Sequence, residues 1–147
     1  MIWDVHIELL KRIGDERGKV LHMLRSDAPF FKGFGEVYFS VVNPGVVKAW
    51  KRHRKTTQHM AAPIGSVRVV VYDSRPESPT FRKVQVVDIG EQNYSLIQIP
   101  PFLWYGFQCL SSTASILANC IDLPFDEAES ERIDSSDPSI PYSWRPL

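Results

Sequence analysis

The chain has little of what most function classes require. Its two cysteines, Cys109 and Cys120, lack the close spacing of a metal-binding pair. In apolar surroundings they read as reduced core thiols and not as a disulfide. There is no net charge, because seventeen Lys and Arg balance seventeen Asp and Glu. No overall field therefore draws the chain to nucleic acid or to an anionic membrane surface. No apolar run approaches the length of a membrane span. The start, M-I-W-D-V-H-I-E, has early acidic residues and no signal-peptide core, which favours the cytoplasm. No segment holds a helical period for long, and neither an internal repeat nor a low-complexity linker is visible.

What the chain does have is punctuation. Eleven prolines and eight glycines divide it into short segments rich in valine and aromatics. Strands are predicted at 36–42, from 46, and at 67–72, 82–89, 94–99, 105–110 and 114–121, with turns such as N-P-G at 43–45 between them. Residues 5–13 fit neither the strand nor the helix period. D-E-R-G at 15–18 is a turn, and 52–57 is a basic connection. From Pro124 the chain turns acidic and polar, which predicts loop or one helical turn. The tail I-P-Y-S-W-R-P returns to aromatics and is expected to pack back on the body. Short strands at regular spacing predict an all-β sandwich or barrel in a single domain, residues 1–147.

The stretch G-V-V-K-A-W-K-R-H, residues 45–53, looks like the first signature of a cupin barrel, a glycine followed by histidine-x-histidine. Its first histidine position holds Lys51, and only His53 remains. Cupin metals are held by three histidines and a glutamate, and the later histidine position is Tyr105. One such ligand does not hold a divalent ion against water, so neither a metal nor another cofactor is expected.

Five pieces then occur in one order: D-E-R-G (15–18), G-V-V-K-A-W (45–50), Y-D-S-R-P-E-S-P-T-F (72–81), I-P-P-F-L-W-Y-G-F (99–107) and D-P-S-I-P-Y-S-W (137–144). Together they resemble the dTDP-4-dehydrorhamnose 3,5-epimerase family, and the D-x-R-x-x-S-P-T-F run from Asp73 is the most specific of them. The resemblance implies a jelly-roll cupin barrel (double-stranded β-helix) with a short helical or irregular C-terminal segment. It also implies a homodimer and a nucleotide-activated sugar bound inside the barrel without a metal. The implied reaction removes a proton beside a C4 ketone and returns it on the other face. That needs a general base, a proton donor opposite it and a cation for the enolate. In the family these are a histidine supported by an aspartate, a tyrosine and a lysine.

The chain departs from that set. The base histidine aligns with Lys51, the enolate-steadying lysine falls near Gln58, the second histidine is Tyr105, and the donor tyrosine falls near Ala118. The supporting aspartate matches Asp137. Arg17 matches the nucleotide-contacting arginine, and Lys48 replaces an arginine near the phosphates. Glu36, His59 and Trp50 complete the expected substrate-binding set, with Gln58.

The residues left at these positions carry different chemistry. Lys51 acts as a base only if burial lowers its amine from about 10.4, and Asp137 beside it would oppose that. His53 shares strand parity with Lys51 and titrates in the working range, which makes it the replacement base unless it sits at the barrel mouth or in a surface hairpin. Tyr105 either donates into the cavity or is a core aromatic. Lys48 and Lys51 fall on opposite faces of a regular strand, so a bulge must re-aim one of them or only one meets ligand. The expected function is a nucleotide-sugar epimerase or isomerase, acting on a dTDP-4-keto-6-deoxyhexose-type substrate in deoxysugar or cell-surface polysaccharide biosynthesis. His53, Tyr105, Lys51 and Asp137 form the expected catalytic set. The alternative is a non-catalytic nucleotide-sugar or carbohydrate-binding cupin that has lost the epimerase base.

Overall fold

The computed structural model describes residues 1–146. In chain order its strands are β1 (His6–Leu9), β2 (Arg12–Asp15), β3 (Gly18–Leu21), β4 (Glu36–Val42), β5 (Val47–His53), β6 (Gln58–Ile64), β7 (Ser66–Tyr72), β8 (Val84–Gly90), β9 (Ser95–Ile99), β10 (Trp104–Cys109), β11 (Ser115–Ile121) and β12 (Ser130–Arg132). One sheet runs β1-β9-β6-β11-β4 and the other β12-β5-β10-β7-β8, while β2 and β3 form a hairpin whose tip is the D-E-R-G turn. Every pairing is antiparallel, and the fold is all-β as expected from the strand spacing, with the jelly roll that the resemblance implies. The acidic stretch after Pro124 contains one turn of 3-10 helix, Glu127–Glu129, started by the Asp126 side chain accepting from the Ala128 N–H.

β7, S-V-R-V-V-V-Y, is a near-continuous apolar run because both of its faces are covered. Val67, Val69 and Val71 enter the core between the sheets with Ile97, Ile99 and Leu117. Val70 and Tyr72 enter a second cluster with Trp50, Trp104 and Ile140, closed over by Tyr142 and Trp144. The aromatic tail thus packs on the outer face of the second sheet. Each aliphatic side chain buried in this way contributes about 1.5–3 kcal/mol.

β6 is the strand that the sequence does not announce. Q-H-M-A-A-P-I lacks alternation and contains Pro63, yet residues 58–62 are all buried in the middle of the first sheet. The β6–β11 register shifts around Ala62 and Pro63, and a bulge is where a strand tolerates a residue without an N–H.

The most specific motif is a structural clamp. Asp73 is fully buried. Its carboxylate accepts from Ser78 Oγ at 2.6 Å, Thr80 Oγ1 at 2.7 Å and Arg75 Nε at 2.9 Å. Burial alone would raise this carboxyl, but the bonds from Arg75, Ser78 and Thr80 outweigh it and hold it well below the usual carboxylate range. Arg75 and Thr80 also bond the Trp3 backbone, at 2.9 and 3.0 Å, which ties down the N-terminal segment.

A bulge in β5 decides what faces the interior. Tyr105 of β10 pairs with Lys51 and Phe107 with Lys48, so Gly106 alone opposes both Ala49 and Trp50. The extra residue brings Lys48 and Lys51, three apart in sequence, to the same side. Gly106 permits the approach: a Cβ there would lie 2.4 Å from the Ala49 Cβ and 2.9 Å from Trp144. No helix among the described residues is long and apolar enough to cross a membrane.

Candidate active site

The sheets part at one end, leaving an open cavity of about 610 Å³ between β4, β6 and β11 on one side and β5 and β10 on the other. Glu36, Tyr38 and Asn119 line it from the first sheet, and Lys48, Lys51 and Tyr105 from the second. Phe125 and Arg132, from the C-terminal segment, border it.

The second wall carries a buried relay. His53 follows Lys51 by two residues and faces the same way, but it lies behind Tyr105 and is 3% exposed. Its Nδ1 meets the Glu129 carboxylate, and its Nε2 lies 3.0 Å from the Tyr105 hydroxyl. Glu129 also accepts from the backbone N–H groups of Arg54 and Lys55, at 3.0 and 3.1 Å. Burial would raise the Glu129 carboxyl, but these bonds, led by that from His53, hold it down at about 2. An ionised carboxylate only accepts, so Nδ1 carries the imidazole hydrogen. Burial lowers the His53 pKa against the opposing pull of Glu129, which keeps the ring neutral and leaves Nε2 to accept from the Tyr105 O–H. Tyr105 itself is raised well above its usual value, chiefly by burial.

The first wall has the opposite polarity. Asn119 Oδ1 accepts the His59 backbone N–H at 3.1 Å, which fixes the amide orientation. Its Nδ2 then donates to the Tyr38 hydroxyl at 3.1 Å and to Gln58 Oε1. Gln58 is 1% exposed, and its Nε2 has no hydrogen-bond partner.

Of the basic residues Lys48, Lys51, Arg52, Arg54 and Lys55, only Lys48 and Lys51 line the cavity. Arg52 is held by Glu131 and lies over the Trp104 ring at 4.6 Å, and Arg54 pairs with Glu131 at 2.6 Å. These two arginines fasten the C-terminal segment to β5 in register, with Arg132 opposite Lys51. Three cations therefore border one side of the cavity. The Lys51 amine lies 5.0 Å from the Phe125 ring centroid, and its pKa is lowered by burial and by Arg132, against Glu129 and Glu127.

Other expected site residues are engaged differently. Asp137 does not border the cavity; its carboxylate is taken by the N–H and hydroxyl of Ser139, at 2.9 and 2.6 Å. The carboxylate that supports a site residue is Glu129 instead. Arg17, at the tip of the β2–β3 hairpin, pairs with Asp15 at 2.6 Å with 83% of its side chain exposed. Trp50 borders the cavity, but its ring packs against Tyr142 and Trp144 and its indole N–H donates to the Ser135 carbonyl at 3.2 Å. His59 has the opposite parity from Met60 and bonds the Cys120 carbonyl at 2.8 Å, under the loop that carries Phe30. Ala118 pairs with Phe39 and Ala61, and its neighbour Asn119 faces the cavity. Sequence reasoning missed Glu129, Arg132, Asn119 and Tyr38 as site residues. An acidic run reads as solvated surface, and only the β12–β5 pairing brings it to the site. Among the described residues no three His, Cys, Asp or Glu side chains gather as metal ligands.

The jelly roll is the fold of a solved sugar isomerase. A solved dTDP sugar isomerase from Desulfovibrio desulfuricans matches at a TM-score of 0.95 and 47% identity, over 97% of this chain and 92% of that one. A probable low-salt glycan biosynthesis epimerase of Haloferax volcanii is 36% identical, covering 97% of this chain and 94% of the relative. A spore coat polysaccharide biosynthesis protein of Bacillus subtilis is 30% identical, covering 98% and 97%. The chain belongs to the dTDP-4-dehydrorhamnose 3,5-epimerase family, whose model matches residues 1–147.

The relay has a pH signature in stability. His53 is held neutral, so its stabilisation is complete above the unfolded value of 6.5 and is lost as pH falls towards its lowered folded value. Glu129 adds a second loss, from its unfolded 4.5 down to about 2. The urea midpoint is therefore expected to fall on acidification from pH 6.5. The fall down to pH 4.5 is expected to be smaller in His53→Gln, with His59, also lowered by burial, supplying part of what remains. An equal fall in both proteins would contradict the assignment.

Proposed function

We propose that the protein is an epimerase or isomerase acting on a dTDP-4-keto-6-deoxyhexose-type nucleotide sugar, in the making of a deoxysugar or a cell-surface polysaccharide. The observation that carries this reading is the Glu129–His53–Tyr105 relay opening beside the Lys51 amine. Tyr105 takes the proton from a carbon next to the C4 ketone while its own hydrogen passes to His53 Nε2. The imidazolium so formed is neutralised by Glu129. The C–H electron pair moves to the C4 oxygen, where the Lys51 ammonium stabilises the enolate. Lys48 and Arg132 provide charge for the diphosphate, and Glu36 faces them as an acceptor for sugar or base hydroxyl and N–H groups. The names of the relatives, a dTDP sugar isomerase and a glycan biosynthesis epimerase, support the substrate class.

A cytoplasmic setting suits a nucleotide-activated substrate. Homodimer formation is supported by the outer face of the edge strand β4, where Val37, Phe39 and Val41 are exposed, and by the exposed Ile13 and Val20 of the hairpin. Sedimentation velocity at micromolar concentration is expected to give twice the chain mass, and a monomer would exclude the dimer.

Incubation with dTDP-4-keto-6-deoxyglucose in deuterated water, followed by NMR at C3 and C5, tests the reaction. Solvent exchange at one or both carbons is expected. Tyr105→Phe should reduce it by about 10²- to 10⁴-fold, and Lys51→Met should lower kcat by about 10²-fold. Measurable binding without any exchange would sink the enzyme reading and favour a binding protein.

A further inference from the structure

Inversion at carbon needs two groups of opposite role on opposite faces of the sugar ring, and the relay supplies only one. The remaining cavity-facing hydroxyls and amides are on the first sheet, where Tyr38 of β4 faces the cavity across from β10. Ala118, near which the resemblance places the family's donor tyrosine, has its side chain on the far side of β11, paired with Phe39 and Ala61. Its neighbour Asn119 faces inward and pairs across the ladder with Tyr38.

The hydrogen-bond directions along this wall form a chain with a defined end. The His59 N–H occupies Asn119 Oδ1, so Asn119 Nδ2 must be the donor to Tyr38. The Tyr38 oxygen therefore accepts, and its own hydrogen, with no protein partner, is available to the cavity. On the opposite wall the Tyr105 hydrogen is directed to His53, which leaves the Tyr105 oxygen lone pairs available. The two tyrosines thus have matched and opposite polarity. Burial, offset in part by the Asn119 bond and reinforced by Glu36 and Glu129, raises the Tyr38 pKa and keeps the hydroxyl protonated.

We propose that Tyr38, on the strand next to β11, is the catalytic acid of the opposite face. This rests on the epimerase reading above. In the second half of the reaction the enolate electron pair returns to the carbon as the Tyr38 O–H proton is delivered to the face opposite Tyr105. That leaves a Tyr38 phenolate, stabilised by the Asn119 N–H, and a His53 imidazolium. Solvent water takes one proton from the imidazolium and returns one to the phenolate, which restores the starting state.

The test separates exchange from inversion, with dTDP-4-keto-6-deoxyglucose in deuterated water. Tyr105 alone can remove a proton and return a deuteron to the same face, which labels the carbon with its configuration retained. Inversion requires Tyr38. In Tyr38→Phe the ratio of inversion to exchange is expected to fall by about 10²-fold. A second arm places 3-fluorotyrosine, a more acidic phenol, at position 38. The alkaline limb of the inversion rate should then move to lower pH, and that of exchange should not. An unchanged ratio in Tyr38→Phe, or limbs that do not move, would overturn the assignment and leave Tyr38 as a binding group. The wild-type protein serves as the control for the reading beneath it. If it exchanges nothing, the epimerase reading fails and the Tyr38 assignment fails with it.

Discussion

The hydrogen bond between Glu129 and His53 sets the chemistry of the cavity. Glu129 comes from a short acidic segment with little core of its own, so its placement depends on other bonds. β12 pairs with β5 from Ser130 to Arg132, and Arg52 and Arg54 both hold Glu131. That ladder presents the carboxylate to His53 Nδ1 and to two backbone N–H groups. Because the carboxylate only accepts, it selects one imidazole tautomer, and the tautomer fixes the direction of the Tyr105 hydroxyl. A carboxylate outside the cavity thus determines which atom of a tyrosine inside it is free to act.

The two walls then divide the work by polarity. The second sheet brings an acceptor, Tyr105, with the cations Lys48 and Lys51, and the bulge opposite Gly106 is what gathers those cations on one face. The first sheet brings donors whose order is set by one backbone N–H, that of His59. His59 therefore contributes through its main chain, while its ring supports the outer face of the sheet. Lys51 is a half-buried cation beside Arg132 and Phe125, suited to an oxyanion more than to proton removal.

Much of the fold was legible in the sequence, because β4, β7 and β8–β11 carry strand residues between clear turns and the valine-rich β7 has two buried faces. β6 was not legible, since Pro63 and the alanines hide a central strand whose burial comes from its neighbours. Within the site, Lys51 and Tyr105 could be named from the cupin spacing, and the parity of Lys48 and Lys51 left two options, a bulge or a single ligand contact, of which the bulge is the one formed. Glu129 and Arg132 could not, because E-A-E-S-E-R looks like solvated surface until β12 pairs with β5. Asp137 matched a motif position, but the D-P-S-I turn uses its carboxylate locally on Ser139. The D-S-R-P-E-S-P-T run was the most recognisable piece because the Asp73 clamp admits few alternatives, and it serves the fold and not the site.

The tautomer of His53 is the point on which the polarity of the second wall turns. Side-chain ¹⁵N correlation spectra of histidine-labelled protein near pH 7, with His53 assigned through His53→Gln, would read it directly. The expected result is a neutral ring with hydrogen on Nδ1 and a pyridine-type Nε2 that becomes protonated only on acidification. A ring with hydrogen on Nε2, or an imidazolium at that pH, would reverse the Tyr105 hydroxyl and contradict the relay.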